Sequence, residues 1–372
     1  MQSIFAYEQC KESNYNLALE SIRYAFEPDL NSMEFQDKVL LKEQAKATSN
    51  LFKKHYKNRN SEILNGNDVR VNNTLNSAIT TYFNRLDKDK AYLKKQMIRE
   101  AEQVFERFAV ILSLPGEFVR IAQNEQARKG NSQYDNFVNN LLIKQISEHK
   151  ELESIYLKSS LNWRSNEDEV KQWFKEFMLQ DEAFAGYNEH EKPSYADDKE
   201  YLTKLVKGFI FQNESIADFL EKSDIRWSEN KAIIKSLITK TIKGINQEES
   251  AFELSSLSYN WEEDLDFFEK MFDETLQEKR DFDSLIAEKA KNWAVERIAA
   301  TDKILLKMAI QEMINFPGIP VKVTINEYIE ISKKYSTPKS KQFVNGVLDV
   351  IALDLQEQGV IKKSGRGLID NK

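Results

Sequence analysis

The chain has 372 residues, long enough for two or three domains, and its 41% apolar and 30% charged residues are the balance of a folded globular protein. Its 60 acids exceed its 53 lysines and arginines by a net charge of -7, which argues against strong nonspecific affinity for nucleic acid. Cys10 is the single cysteine, which excludes an internal disulfide framework and fits a reducing compartment. No run of 18 apolar residues is present to span a membrane, and the first ten residues lack the basic region and apolar core of a secretory signal. The expected location is cytoplasmic, with no membrane contact.

With 11 glycines and 6 prolines, the chain has few turns, which favours an all-α fold. Amphipathic periodicity predicts helices over 1–26, 33–60 and 67–113, separated by "EPDLNS" (27–32) and "NGND" (65–68). Met1, Ile4 and Phe5 already keep helical spacing with no capping residue before them. That is the pattern of a frayed start or of a helix that opens upstream. "LPGE" (114–117) and "RKGNSQ" (128–133) read as breaks, followed by helices over 133–161 and 167–180. After "HEKPSYADD" (190–198) the predicted helices are 196–222, 229–246, 262–291, 294–315, 322–335 and 338–356. The ending "KKSGRGLIDNK" reads as a loose polar tail.

An internal repeat emerges from the tryptophans. A shift of 66 residues places Trp227 on Trp293, Tyr201 on Phe267, Leu202 on Phe268, Leu205 on Met271 and Val206 on Phe272. Ile216 then falls on Phe282, Phe219 on Leu285, Leu220 on Ile286 and Ile238 on Ile304, and "LESIYLKSSLNW", ending at Trp163, is a weaker third copy. Residues 166–200 carry eleven acids and four lysines, a run read as a solvated face.

The residues of catalysis are missing from any usable pattern. His55, His149 and His190 lie far apart and in no metal-ligand spacing, and no nucleophile elbow, phosphate loop or dinucleotide fingerprint occurs. The reading is therefore of a protein without metal or cofactor that is not an enzyme.

The most informative stretch is "IPVKVTINEYIEISKKYSTPKSKQFVNGVLD" (319–349). Thr324 and Glu327 have capping-box spacing, and Val323 and Tyr328 are placed as a hydrophobic staple. Ser336 or Thr337 is placed to cap the next helix, with Pro338 in its first turn. Between Lys322 and Asn345, five lysines (Lys322, Lys333, Lys334, Lys339 and Lys341) face two acids, a local net charge of +3. Two readings stand side by side: well-capped core helices with soluble faces, or a phosphate-facing patch at a helix start. In the second, Phe343 stacks on a base, although a phenylalanine at helical spacing is more often core.

These residues are similar to those of a known family. "NWAVERIAATDKILLKMAIQEM", "IPVKVTINE" and "KQFVNGVLD" resemble the C-terminal half of the NusB family of bacterial transcription antitermination factors, over residues 261–355. "MQSIFAYEQ" more weakly resembles the end of that family's first helix. The arginine-rich opening of that helix is missing, residues from about 30 to 255 form a large insertion, and Gln342 stands where the family often has lysine.

The resemblance implies a pair of helical bundles with an inserted, partly repeated helical region. Its divisions are a first helix over 1–29, the insertion over 30–255, the family's C-terminal bundle over 256–356 and the tail over 357–372. It implies binding to single-stranded boxA RNA of ribosomal RNA transcripts together with NusE, a small-subunit ribosomal protein, within the antitermination complex of RNA polymerase. By position, Lys339, Lys341, Gln342, Phe343 and Asn345, with Gln2, face RNA. Phe5, Tyr7, Glu296, Asp302, Lys307 and Glu312 face NusE. The alternative is a helical interaction scaffold that kept the fold and lost RNA binding.

Overall fold

The computed structural model describes residues 1–59, 68–247, 252–277, 280–290 and 298–371. Residues 65–67 of the predicted "NGND" break, Trp293 and Glu296 lie outside them. Among the described residues the secondary structure is helical, with no strand. In chain order the elements are α1 (Gln2–Ala25), α2 (Lys38–His55), α3 (Val69–Lys129), α4 (Asp135–Val138), α5 (Leu141–Ser147) and α6 (Lys150–Lys158). Next come α7 (Glu167–Gln172), a π turn (Trp173–Phe177), α8 (Glu182–Glu189), α9 (Tyr195–Lys204) and a second π turn (Leu205–Ile210). α10 (Glu214–Ser223), α11 (Trp227–Gly244), α12 (Trp261–Leu276) and α13 (Phe282–Lys289) follow. The last helices are α14 (Ala300–Asn315), α15 (Val321–Tyr335) and α16 (Ser340–Glu357), followed by a 3-10 segment (Gly365–Asn371).

The chain divides into two compact units, one of residues 1–98 and 262–372 and the other of residues 99–261. In the first, α14 is buried along most of its length. Leu305, Leu306, Ala309, Ile310 and Met313 are fully enclosed, with Val344, Val347, Leu348 and Ile351 of α16 in the same core. Ile4 of α1 joins that core, while Ile22 of α1 packs with Phe52 of α2 and Leu75 of α3 in a second one. Residues 30–59 and 68–98, assigned from sequence to the insertion, thus belong to the same unit as α1. The separate unit opens at Arg99.

The second unit is organised around buried aromatics. Trp163, Trp173, Phe118, Phe137 and Phe174 are all essentially enclosed. The predicted break at 114–117 does not occur, and α3 runs on through Pro115. Leu114 and Phe118 flank the proline with no exposure, so their burial outweighs the hydrogen bond that proline removes. The indole N–H of Trp163 donates to the Val110 carbonyl at 2.7 Å, within the same stretch. Most of the acidic run is solvated as read, but Asp198 is buried and accepts the Tyr187 hydroxyl at 2.6 Å and the Leu141 amide at 2.8 Å.

The repeat is visible in the helix bounds. The helical stretch Tyr195–Ile210 and α12, Trp261–Leu276, are related by the same 66-residue shift. Leu205, Val206, Ile216, Leu220 and Ile238 are buried, as are their counterparts Met271, Phe272, Phe282, Ile286 and Ile304. The copies also differ: the first closes in a π turn, whereas α12 is α-helical throughout, and Tyr201 and Leu202 are buried where Phe267 and Phe268 are half-buried.

The C-terminal segment is packed, where the sequence predicts a loose tail. Ile361 is buried in the core of the first unit, and the Ser364 amide donates to the Pro317 carbonyl at 3.0 Å. The Lys363 ammonium donates to the Phe316 carbonyl at 3.1 Å.

Candidate nucleic-acid interface

The site is built on the turn from α15 to α16. α15 begins at Val321, with Pro320 as its N-cap, four residues before the predicted cap. Thr324 is therefore inside the helix, fully buried, and its hydroxyl reaches back toward the Pro320 carbonyl instead of capping an amide. Val323 is 44% exposed and forms no staple. The alternating "VKVT" enters the helix because Val321, Thr324, Ile325 and Tyr328 share one buried face at helical spacing.

α15 ends at Tyr335 and α16 begins at Ser340, so Pro338 lies in the connecting turn instead of the first helical turn. A buried carboxylate holds this turn. Ser336 Oγ donates to Asp302 Oδ1 at 2.6 Å and Ser340 Oγ donates to Asp302 Oδ2 at 2.7 Å. The Thr337 amide donates to Ser340 Oγ at 3.2 Å, and the Thr301 and Ser336 hydroxyls lie 3.0 Å apart. Residues from α14, the turn and α16 thus share one hydrogen-bonded cluster.

The cluster leaves four lysines at one end of the helix pair. Lys339 and Lys341 are exposed at the opening of α16 and form no ion pair among the described residues. Lys333 and Lys334 are exposed at the end of α15. Lys333 pairs with Glu330, and Lys334 lies 5.3 Å from the Tyr335 ring centre. Lys339, the N-cap residue, makes no side-chain capping bond; of the opening amides, that of Ser340 donates to the Thr337 carbonyl at 2.9 Å and that of Gln342 to the Lys339 carbonyl at 3.2 Å, so the positive potential here comes from the lysine ammonium groups. Gln342 is exposed and Asn345 half-buried one turn further on.

Three predicted RNA contacts fall elsewhere. Lys322 opens α15, about 16 Å along the axis from Lys333 at 1.5 Å per residue. Phe343 is 6% exposed and belongs to the core with Val344 and Val347, so its ring is not a stacking platform. Gln2 opens α1 and is half-buried.

The residues predicted to face a protein partner are largely engaged within the fold. Asp302 is the buried clamp just described. Glu312 is buried and accepts the Tyr328 hydroxyl at 3.1 Å; burial raises its carboxyl above the ordinary range. Lys307 donates to Asp283 at 2.8 Å. Tyr7 is buried, which raises its hydroxyl's pKa, and Phe5 is half-buried against the core. Glu296 lies outside the described residues.

Asp302, expected to face NusE, is buried instead, and Ser340, which the sequence does not single out, donates to it. The signal lay in two serines four residues apart across "STPKS", a spacing that lets both hydroxyls reach one acceptor. Among the described residues no group of His, Cys, Asp or Glu is arranged to hold a metal ion, and no helix is long and apolar enough to cross a membrane. The arrangement at the α16 opening suits the electrostatic holding of an anionic chain.

A family model described as the NusB family matches residues 233–353, from α11 into α16. A protein named transcription antitermination protein NusB from Salinibacter ruber is 52% identical over 104 residues, 28% of this chain and 65% of that protein. Its namesake from Chloroherpeton thalassium is 41% identical over 136 residues, 37% of this chain and 61% of the relative. The namesake from Dictyoglomus thermophilum is 39% identical over 104 residues, 28% of this chain and 70% of the relative. The chain thus spans somewhat less than two thirds of the first two relatives, and no solved structure matches it. With 39% identity across 70% of a curated member, and the matched segment forming α14, α15 and α16, the chain belongs to the NusB family.

Proposed function

We propose that the protein is a transcription antitermination factor that binds single-stranded boxA-type RNA of ribosomal RNA operons together with NusE, as part of the RNA polymerase antitermination complex. The observation that carries this reading is the exposed Lys339 and Lys341, without an ion pair among the described residues, at the start of α16, in a chain whose relatives are named antitermination proteins. Phosphates gain there from the ammonium groups, while Gln342 and Asn345 offer side-chain amides to base edges. The net charge of -7 leaves such binding dependent on this local patch.

A second reading, a helical scaffold without RNA binding, is favoured by the burial of Phe343 and the pairing of Lys333 with Glu330. Filter binding with boxA and scrambled RNA, with and without NusE, separates the two. Tighter binding to boxA, strengthened by NusE, supports the factor; equal binding to both RNAs counts against it. Reversing both charges, Lys339→Glu and Lys341→Glu, lowers boxA affinity. It also flattens the slope of log affinity against log salt by about 0.7 for each phosphate that is no longer neutralised.

A further inference from the structure

The second unit contains a hollow of about 600 Å³, in the size range of sites for small organic ligands. One wall is the π turn Leu205–Ile210, where the Phe211 amide bonds five residues back to the Val206 carbonyl at 3.1 Å. π turns inserted in helices recur at functional sites. The equivalent stretch of the repeat, α12, has none.

Some of its polar groups lack partners among the described residues. Tyr201 lines the hollow, is 4% exposed, and is fixed by stacking on Tyr187 with ring centres 4.1 Å apart. Its buried hydroxyl has no hydrogen-bond partner. Asp181 lines the same hollow, and burial, with the Asp181 charge second, holds the Tyr201 hydroxyl in its protonated form well above the ordinary range. A buried hydroxyl without a partner costs free energy that a bound polar group recovers.

Lys207 of the π turn is half-buried and makes no ion pair among the described residues. Lys235 lines the same space with its ammonium 5.6 Å from the Phe211 ring centre, while Lys204 pairs with Glu200 at 2.7 Å. The opposing carboxylate, Asp181, already caps α8 by accepting the Phe184 amide at 2.8 Å. Gln212 is exposed at the rim, with no side-chain hydrogen bond among the described residues.

We propose that this hollow binds a nucleoside phosphate, either free or as one nucleotide of an RNA strand. Lys207 and Lys235 take the phosphate, and the Tyr201 hydroxyl and Gln212 amide bond to the sugar or base. The site stands within the second unit and does not depend on RNA binding at α16.

Isothermal titration of the full chain with AMP, UMP, a short oligoadenylate and inorganic phosphate tests it. The variants are Lys207→Glu, Tyr201→Phe and Gly208→Leu; a side chain at position 208 starts in open space, so the last fills the hollow without a backbone clash. The expected result is one saturable site for a mononucleotide or the oligonucleotide, weakened about tenfold or more in Lys207→Glu and Gly208→Leu. Saturation by the mononucleotides identifies a free nucleotide as the source, and saturation by the oligonucleotide alone identifies an RNA strand. Tyr201→Phe keeps or raises the melting temperature of the unliganded protein and still weakens binding. No binding of any nucleotide, affinity unchanged in all three variants, or inorganic phosphate binding as tightly as AMP overturns the proposal.

Discussion

The Ser340 hydroxyl donates to the Asp302 carboxylate at 2.7 Å, joining residues 38 apart in sequence and tying the opening of α16 to the start of α14. The same carboxylate accepts Ser336 from the end of α15. One buried anion therefore sets the position of Lys339 and Lys341 without touching either.

Asp302→Ala leaves both serine hydroxyls without their acceptor in a buried setting, and urea unfolding is expected to show a loss of about 1–3 kcal/mol. The lysines remain, so in the folded variant RNA affinity falls through poorer positioning while its salt slope stays near that of the wild type. A slope that drops as far as in the double lysine reversal would show that Asp302 acts on charge.

Phe343→Ala removes a ring from a packed core and is expected to cost about 3–5 kcal/mol in denaturant unfolding. Phe343→Leu keeps most of the apolar packing. Its RNA affinity, measured on folded protein, stays at the wild-type level because the ring faces inward. A large loss of affinity in that milder variant would restore a stacking role.

Glu312 carries a pH dependence with a definite sign. Burial raises its carboxyl above the ordinary 4.5. A raised carboxyl contributes stability fully below the unfolded value and loses it as pH rises through the folded value. Glu312→Gln keeps an acceptor for Tyr328 and removes the buried charge. Urea midpoints are therefore expected to favour the variant increasingly between pH 4 and pH 7, and a gap that shrinks over that range would contradict the assignment.

Gly367 tests the packed C-terminus. A Cβ there would lie 2.0 Å from the Pro317 carbonyl oxygen, which is backbone and cannot swing away. Gly367→Ala is expected to cost about 1–3 kcal/mol, as overpacking does. Faster amide exchange at Ser364, whose N–H bonds to Pro317, is the local readout.

Much of this was legible in one dimension. Helical periodicity located α1, α11, α15 and α16 to within a few residues, because each carries its apolar residues at helical spacing. The 66-residue repeat followed from matched apolar positions, which report burial. The lysine-rich start of α16 followed from charge and turn residues alone. Three errors share a cause. Pro115 reads as a helix end, Thr324 as a cap and Phe343 as a base platform when each is judged by its local neighbours. All three were decided by burial against distant segments.

The order of residues by itself determined the helical class, the family, the repeat and the net charge of +3 between Lys322 and Asn345, since these depend on periodicity, identity and sums of charge. Only the tertiary structure decided that α2 packs with α1, that Asp302 is a clamp, and that the Tyr201 hydroxyl has no partner. Each of these depends on which side chains meet across long sequence separations. Helical spacing marks which face of a segment is buried, and the folded chain alone settles against what.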